Sequence, residues 1–453
     1  MHDLLPPLHP SLQRRGNYVK LFNTVTIAME IPRGLRTYLY GQSARKRWVE
    51  ERLLKVFFRW GFQEIVTPAF EYFDTFSTGM NGESTERVFK FTERGTGKLL
   101  ALRPDITPQI ARTAATLLKD SPKPLRLCYC GNVFRSADSG SGEWQELYQG
   151  GIELIGLDSS ESDAETIAIA VECMKELGLK GFKAAIGHME FFKGILSDAK
   201  LDASLQDEIK LRIQKKDVSG LDDVLSRCNI KNEKKERIKK ILNLFGEKEV
   251  IDRAREIADN PVSLRAIESL QKVYQMLTIY GVSDSVLIDL AEIRGFGYYT
   301  GVVFEGFIKG VGTEICGGGR YDNLLEKYGA KIPATGFAVD INKVIDVIEK
   351  TPPRPPLVKG GVGGFAVDYI VIDFRDDKRM AQEISHRLRE KGYKVARDII
   401  KRGLPDSLKF AKEMNIENAI IMGTGDIKEG EAVIKEIATG KERKVKVEEI
   451  ENL

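Results

Sequence analysis

Fourteen residues constrain this chain more than any other feature. From Thr351 to Gly364 it reads TPPRPPLVKGGVGG, four prolines and then four glycines. Proline fixes φ and offers no backbone N–H, while clustered glycine leaves the backbone free, so neither a helix nor a strand continues across such a run. The chain is therefore read as a larger unit at 29–350, a linker at 351–364 and a smaller unit at 365–453. A length of 453 residues agrees with two or three domains at ~150 residues each. Residues 1–28 stand apart: three of the first ten are proline and no period is sustained, which predicts a disordered leader or a true start at Met29.

The two units follow different patterns. Val49, Leu53, Val56 and Phe57 fall on one helical face, and Gly61 supplies a stop. Between Lys98 and Gly156 alternation takes over in KLLALRP, LRLCYCGNVFR and QELYQGGIELIG. The polar loop SADSGSGE joins the last two, an antiparallel hairpin signal. After the helical ESDAETIAIAVECMKELGL, a highly charged stretch at about 195–281 lacks strand alternation and reads as a helical insertion. Strands return at 286–293 and in GYYTGVVFEGFI, and a helix with Ile341, Val344, Ile345 and Ile348 on one stripe closes the unit. Beyond the linker, YIVIDF, YKVARDI and NAIIMG alternate with helical runs, as in a small α/β domain.

Composition excludes several classes. No run approaches the ~18 apolar residues a spanning helix needs, and no leader has secretory character, so a cytoplasmic protein is expected. The four histidines, His2, His9, His188 and His386, are too scattered for a histidine-rich metal site or a nucleophile relay, and no metal or cofactor is expected. The five cysteines are odd in number and scattered; Cys128 and Cys130 share one strand face and read as reduced core residues. A net charge of +3 demands no nucleic-acid partner, and the unit at 365–453 balances 18 Lys and Arg against 18 Asp and Glu.

Polar groups that a core would not tolerate unpaired concentrate in a few places. Arg103, Asp105 and Thr107 alternate in LRPDITP, Arg135 follows a long apolar strand, and Gln149 and Glu153 are spaced to share a strand face. Arg294 precedes the tandem Tyr298 and Tyr299, and Gly317 to Gly319 let backbone approach a ligand ahead of Arg320. Mixed acid, base and tyrosine groups on an antiparallel sheet suit a small zwitterion: a carboxylate holds its ammonium, an arginine its carboxylate, and Glu plus Tyr can pair both nitrogens of an imidazole. Each group also has a plainer reading. Arg103 and Arg320 could be structural ion-pair residues, Asp105, Gln149 and Glu153 a satisfied polar network, and the tyrosines core.

Taken in order, the segments IPRGLRTYL, WGFQEIVTPAFEY, LRPDITPQIAR, GNVFR, GGIELIG, RGFGYYTGVVFE and GGGRYDNLL resemble the class II histidyl-tRNA synthetase family from about Ile31 onward. Within it the chain most resembles the branch of ATP phosphoribosyltransferase regulatory subunits, with RPDITPQIAR the most discriminating stretch. The resemblance implies an α+β fold: a class II aminoacyl-tRNA synthetase-like antiparallel sheet core with a helical insertion, plus a C-terminal anticodon-binding-like α/β domain. It also implies a histidine-binding pocket at Asp105, Thr107, Arg135, Gln149, Glu153, Arg294, Tyr298 and Tyr299.

The departures from a synthetase concern charge. Where the resemblance leads one to expect a Glu-Arg pair and then a second arginine on the returning strand, the chain has Ala137-Asp138 and Gln145. Where an adenine-stacking arginine is expected, Lys343 follows Asn342, and a point charge does not replace a planar guanidinium. Asp138 and Glu143 would further repel phosphate. Phe296-Gly297 also departs, from the Leu-Asp of the regulatory branch.

The expectation is a non-catalytic subunit, with no catalytic residues of its own, that binds L-histidine as effector. It would activate a short-form ATP phosphoribosyltransferase catalytic subunit and confer feedback inhibition on it, at the first step of histidine biosynthesis. The resemblance implies a homodimer within a hetero-oligomer; the lack of a long apolar run predicts no membrane partner, and the balanced charge of 365–453 argues against tRNA as one. A divergent histidyl-tRNA synthetase is the alternative, and an RNA-binding or stress-sensing pseudo-synthetase a third.

Overall fold

The computed structural model describes residues 31–80, 85–137, 144–197, 201–291, 298–350, 367–400 and 402–452. The leader reading at 1–28 and the linker reading at 351–364 lie outside them.

Helix α1 (Tyr40–Arg59) buries Val49, Leu53, Val56 and Phe57 completely, and Gly61 turns the chain at φ +78°. Strand β1 (Gln63–Glu64) follows. Next come β2 (Phe70–Tyr72), α2 (Phe73–Gly79), β3 (Lys90–Thr92) and β4 (Leu99–Leu102), whose strands pair in the order β2-β4-β3. Helix α3 (Thr107–Ala115) has Pro108 in its first turn, where a missing N–H costs nothing. Strands β5 (Leu125–Phe134) and β6 (Glu146–Ile155) form a long antiparallel hairpin.

The N-cap of α4 (Ser160–Glu176) is Ser159, whose hydroxyl accepts from the Ser162 N–H at 3.2 Å. The sequence continues through β7 (Phe182–His188) directly into α5 (Met189–Ser197), then α6 (Ala203–Gln214), α7 (Val218–Arg227) and α8 (Asn232–Lys240). After β8 (Phe245–Gly246) come α9 (Glu249–Ile257), α10 (Pro261–Ile279) and β9 (Val286–Asp289). The two-residue β8 pairs with β9 inside the stretch read as wholly helical, because two residues carry no period to read. Strands β10 (Val302–Ile308), β11 (Cys316–Arg320) and β12 (Ala334–Asp340) then lead into α11 (Ile341–Lys350), whose Ile341, Val344, Ile345 and Ile348 are buried.

These strands form one nine-stranded sheet, ordered β1-β5-β6-β12-β11-β10-β7-β9-β8. It is antiparallel except for the β1–β5 and β7–β9 pairs. Helices α1, α4 and α11 pack against it in the main apolar core. In the C-terminal unit β13 (Tyr369–Asp373), α12 (Arg379–Glu390), β14 (Val395–Arg397), α13 (Leu404–Glu413), β15 (Asn418–Met422), β16 (Glu431–Glu436) and β17 (Glu442–Lys446) build a sheet ordered β14-β13-β15-β16-β17. Its two faces carry separate apolar clusters, around Tyr369 and Ile420 on one side and Ile370 and Ile421 on the other.

No helix among the described residues is long and apolar enough to cross a membrane. All five cysteines are unpaired, and burial pushes the Cys128 thiol up to about 12, away from reactivity.

Candidate functional site

Strand β4 stops at Leu102, so the alternation of Arg103, Asp105 and Thr107 does not continue a strand. Pro104 lacks a ladder N–H and Pro108 favours a helix start, so Arg103 to Ile106 form a turn and Thr107 opens α3. Arg103 thereby leaves the other two. Its guanidinium donates to the Thr67 carbonyl at 2.8 Å and hydroxyl at 3.0 Å, and it presses so closely on β5 that a Cβ on Gly131 would lie 2.4 Å from its Nη2.

Asp105 and Thr107 point toward β6 and join a buried network. The Asp105 carboxylate accepts from the Tyr298 hydroxyl at 2.9 Å and the Thr107 N–H at 3.3 Å. The Thr107 hydroxyl donates to Glu153 Oε1 at 2.7 Å, and the Tyr321 hydroxyl donates to Glu153 Oε2. Tyr298 packs on Tyr299 at 4.9 Å between ring centroids and on Tyr321 at 5.8 Å.

Space for these groups comes from missing side chains. A Cβ on Gly336, the cross-strand partner of Glu153, would stand 2.0 Å from Glu153 Oε2. One on Gly151, between Gln149 and Glu153 on the same face of β6, would stand 2.4 Å from the Phe337 carbonyl and 2.6 Å from the Tyr129 hydroxyl.

Burial dominates the electrostatics. It pushes Glu153 up to about 8, with Asp105 reinforcing the rise and the two hydroxyl donors opposing it. No lysine or arginine among the described residues figures among the influences on Glu153. Burial raises Asp105 as well, against Arg135 and its hydrogen bonds. Burial and these carboxylates hold the Tyr298 and Tyr321 hydroxyls neutral, as hydrogen-bond donors. Burial thus favours the neutral form of both carboxyls, and a positively charged or N–H-bearing group beside them would offset it.

Beside this network opens a cavity of about 570 Å3, with Gly317, Gly318 and Ala338 among its lining residues and Arg135, Gln149 and Tyr299 on its walls. Arg135 is held by a 2.8 Å hydrogen bond from its Nε to the Pro104 carbonyl. Gln149 is buried and its Oε1 has no hydrogen-bond partner among the described residues. Among the described residues, Arg87, Arg135 and Lys343 line the cavity together with Glu305, Glu314 and Asp340, three cations to three carboxyls. Lys343 is engaged: its Nζ donates to the Glu314 carboxylate and carbonyl, each at 2.8 Å.

Asp105, Thr107, Arg135, Gln149, Glu153, Tyr298 and Tyr299 thus converge on one region, while Arg294 lies outside the described residues, as do Asp138, Glu143 and Phe296-Gly297. Tyr321, buried against Glu153, was not singled out, although it directly follows GGGR in a motif that was. Arg320 is a structural ion-pair residue. Its guanidinium meets Asp163 at 2.9 Å, Asp322 at 3.0 Å and the Ser162 hydroxyl at 2.7 Å, and donates to the carbonyls of Leu157 and Ser159.

Comparison with known proteins places this geometry. Residues 34–344 match the family model described as histidyl-tRNA synthetase, and residues 366–453 the one described as an anticodon binding domain. The ATP phosphoribosyltransferase regulatory subunit of Geobacter sulfurreducens is 39% identical over 424 residues, 94% of this chain and 95% of that one. That of Syntrophotalea carbinolica is 40% identical over 407 residues, 89% and 93% of the two chains. A Bacillus halodurans structure described as an ATP phosphoribosyltransferase regulatory subunit/histidyl-tRNA synthetase aligns with a TM-score of 0.77 at 30% identity, covering 88% of this chain and 99% of that one. A histidyl-tRNA synthetase structure from a Nostoc species shares the fold at a TM-score of 0.76 and 22% identity, covering 94% and 99%.

Proposed function

Because the chain belongs to the family of ATP phosphoribosyltransferase regulatory subunits, built on the histidyl-tRNA synthetase fold, we propose that it is the non-catalytic, histidine-sensing subunit of such an enzyme. It acts in the cytoplasm as a homodimer within a hetero-oligomer. There it activates a short-form catalytic subunit and makes it subject to feedback inhibition at the first step of histidine biosynthesis.

The observation that carries this reading is the contrast between the buried network and the cavity beside it. Buried Asp105 and Glu153 await a cationic or N–H-bearing ligand. The positively charged side chain at the adenine-facing position, Lys343, is already held by Glu314. In the pocket, Asp105 would take the ammonium group of L-histidine, Arg135 and Arg294 its carboxylate, and Glu153 with the tyrosines its imidazole. Thr107 holds Glu153 in place, and Gln149 Oε1 would accept from the ligand's ammonium. Among the described residues the cavity walls carry as many carboxyls as cations, which leaves no surplus to hold a triphosphate, and electrostatic stabilisation is what adenylate formation most requires. Feedback is then a coupling free energy between this pocket and the partner's active site.

Isothermal titration tests it: heat on adding L-histidine and none on adding ATP supports the reading. The anticodon-binding module at 366–453 favours the second reading, a divergent histidyl-tRNA synthetase. Turnover in an aminoacylation assay with tRNA, ATP and histidine would establish that reading and refute the first.

A further inference from the structure

Tyr321 is aimed by its neighbours. It follows β11 directly, and its N–H donates to the Ala334 carbonyl at the start of β12 at 2.8 Å. Before it, Arg320 is fixed through its side chain by Asp163 and Asp322, and its carbonyl accepts from the Thr300 N–H at 2.8 Å. After it, the Asp322 N–H donates to the Thr300 hydroxyl at 3.0 Å. Successive side chains of an extended segment point to opposite faces, so the contacts that anchor Arg320 on one face commit Tyr321 to the other. There it is buried, and its hydroxyl reaches Glu153 Oε2.

The carboxyl it reaches has little freedom. Glu153 Oε2 lies between that hydroxyl and the backbone of Gly336, where a Cβ would stand 2.0 Å away, and Oε1 accepts from the Thr107 hydroxyl at 2.7 Å. Tyr321 and Tyr298 meet edge to face at 5.8 Å, and each donates to one of the two acids, Tyr321 to Glu153 and Tyr298 to Asp105. Among the described residues, the titratable groups facing Glu153 are Asp105 from the turn before α3, Tyr129 of β5, Tyr298 and Tyr299 ahead of β10, and Tyr321 itself. Burial lifts this acid to about 8, and against that rise stand two neutral donors, Tyr321 first and Thr107 second, with Asp105 adding to it. A hydroxyl that donates to a carboxylate favours its ionised form, in which the group only accepts; the protonated form carries a donor of its own.

On the histidine-sensing reading given above, we propose that Tyr321 is a positioning residue of the ligand site: its hydroxyl holds Glu153 as an oriented acceptor and so makes the site select a ligand whose ring bears an N–H over one whose ring nitrogen is bare. A site built to accept an N–H discriminates steeply against an analogue without one, because the buried acceptor is then left unpaired. Thiazolylalanine is such an analogue, with the same amino-acid end, a ring of the same size and no ring N–H.

The test uses the full-length protein and Tyr321→Phe, which keeps the ring that packs on Tyr298. In calorimetry the ratio of histidine affinity to thiazolylalanine affinity should fall at least about tenfold in the variant. In ligand-free protein, 13C NMR of labelled glutamate, with the Glu153 signal assigned from Glu153→Gln, should show its titration midpoint about one pH unit higher in the variant. A ring-fluorinated tyrosine at position 321, a stronger donor of nearly the same size, should move that midpoint the other way, and it replaces the phenylalanine if that variant melts early. An unmoved midpoint, or an unchanged affinity ratio, would overturn the role of Tyr321. No histidine heat in the unaltered protein would instead refute the histidine reading, and the carboxyl titration alone would then decide whether Tyr321 governs Glu153.

Discussion

Two cavities border the same sheet, the one beside Gln149 and a second, of about 730 Å3, with Ser159, His188, Arg265 and Arg320 among its lining residues. Each holds an atom of the opposite kind without a partner among the described residues. In the first, the acceptor Gln149 Oε1 stands beside two carboxyls raised by burial. In the second, the donor His188 Nε2–H stands in a wall that mixes the cations Lys193, Arg265, Lys272 and Arg320 with five carboxylates. Arginine is present at both and behaves differently. Arg320 is saturated by carboxylates and carbonyls, so it shapes the second cavity without serving it. Arg135 donates from its Nε to the Pro104 carbonyl and lines the first cavity. An arginine in a motif is thus read correctly only once its partners are counted.

The sharpest way to break this contrast is Arg320→Ala. It strips buried Asp163 of its counter-charge and should destabilise the protein by about 3–5 kcal/mol, seen as a large drop in melting temperature. An unchanged melt would mean that Arg320 is not structural. Asp105→Ala comes next: histidine affinity should fall at least about 100-fold, near 2.7 kcal/mol, in calorimetry. An undiminished titration would move the ammonium site elsewhere.

Glu153 gives a pH signature of intermediate size. Its folded value of about 8 stands above the ordinary carboxyl range, so the buried neutral form stabilises the protein fully at acid pH and that stability is lost as pH rises toward and through 8. The slope should approach about 1.4 kcal/mol per pH unit at most, with Asp105 adding to it. Glu153→Gln should flatten the profile in denaturant titrations at pH 5 to 8. Histidine donating an N–H to this carboxyl favours its ionised form, so binding should release protons near pH 7, detected as a buffer-dependent heat that Glu153→Gln abolishes. The smallest effect belongs to Lys343→Ala. Its pair with Glu314 is partly exposed and worth about 0–1 kcal/mol, so both melting temperature and histidine affinity should barely move.

Much of the fold was legible because it rests on long periodic runs. The stripes of α1 and α11 and the β5–β6 hairpin each repeat their period several times. What escaped were features without a period, such as β8, or features set by prolines, such as the turn at Arg103 to Ile106. At the first cavity, motif resemblance supplied residues that spacing alone left open, yet it passed over Tyr321, whose role depends on a β6 carboxylate far away in sequence. The second cavity was invisible for the same reason: Ser159, His188, Arg265 and Arg320 meet only after the sheet and the insertion have folded.

The glycines at 151, 318 and 336 carry a consequence for inheritance. A Cβ at any of them would come within 2.4 Å of a backbone carbonyl on a neighbouring strand, which cannot step aside as a flexible side chain can. Every amino-acid change reachable from a glycine codon by one nucleotide adds that atom. A lineage released from the need to recognise its effector would therefore let the acids drift first and keep these three codons, because the sheet itself still requires them.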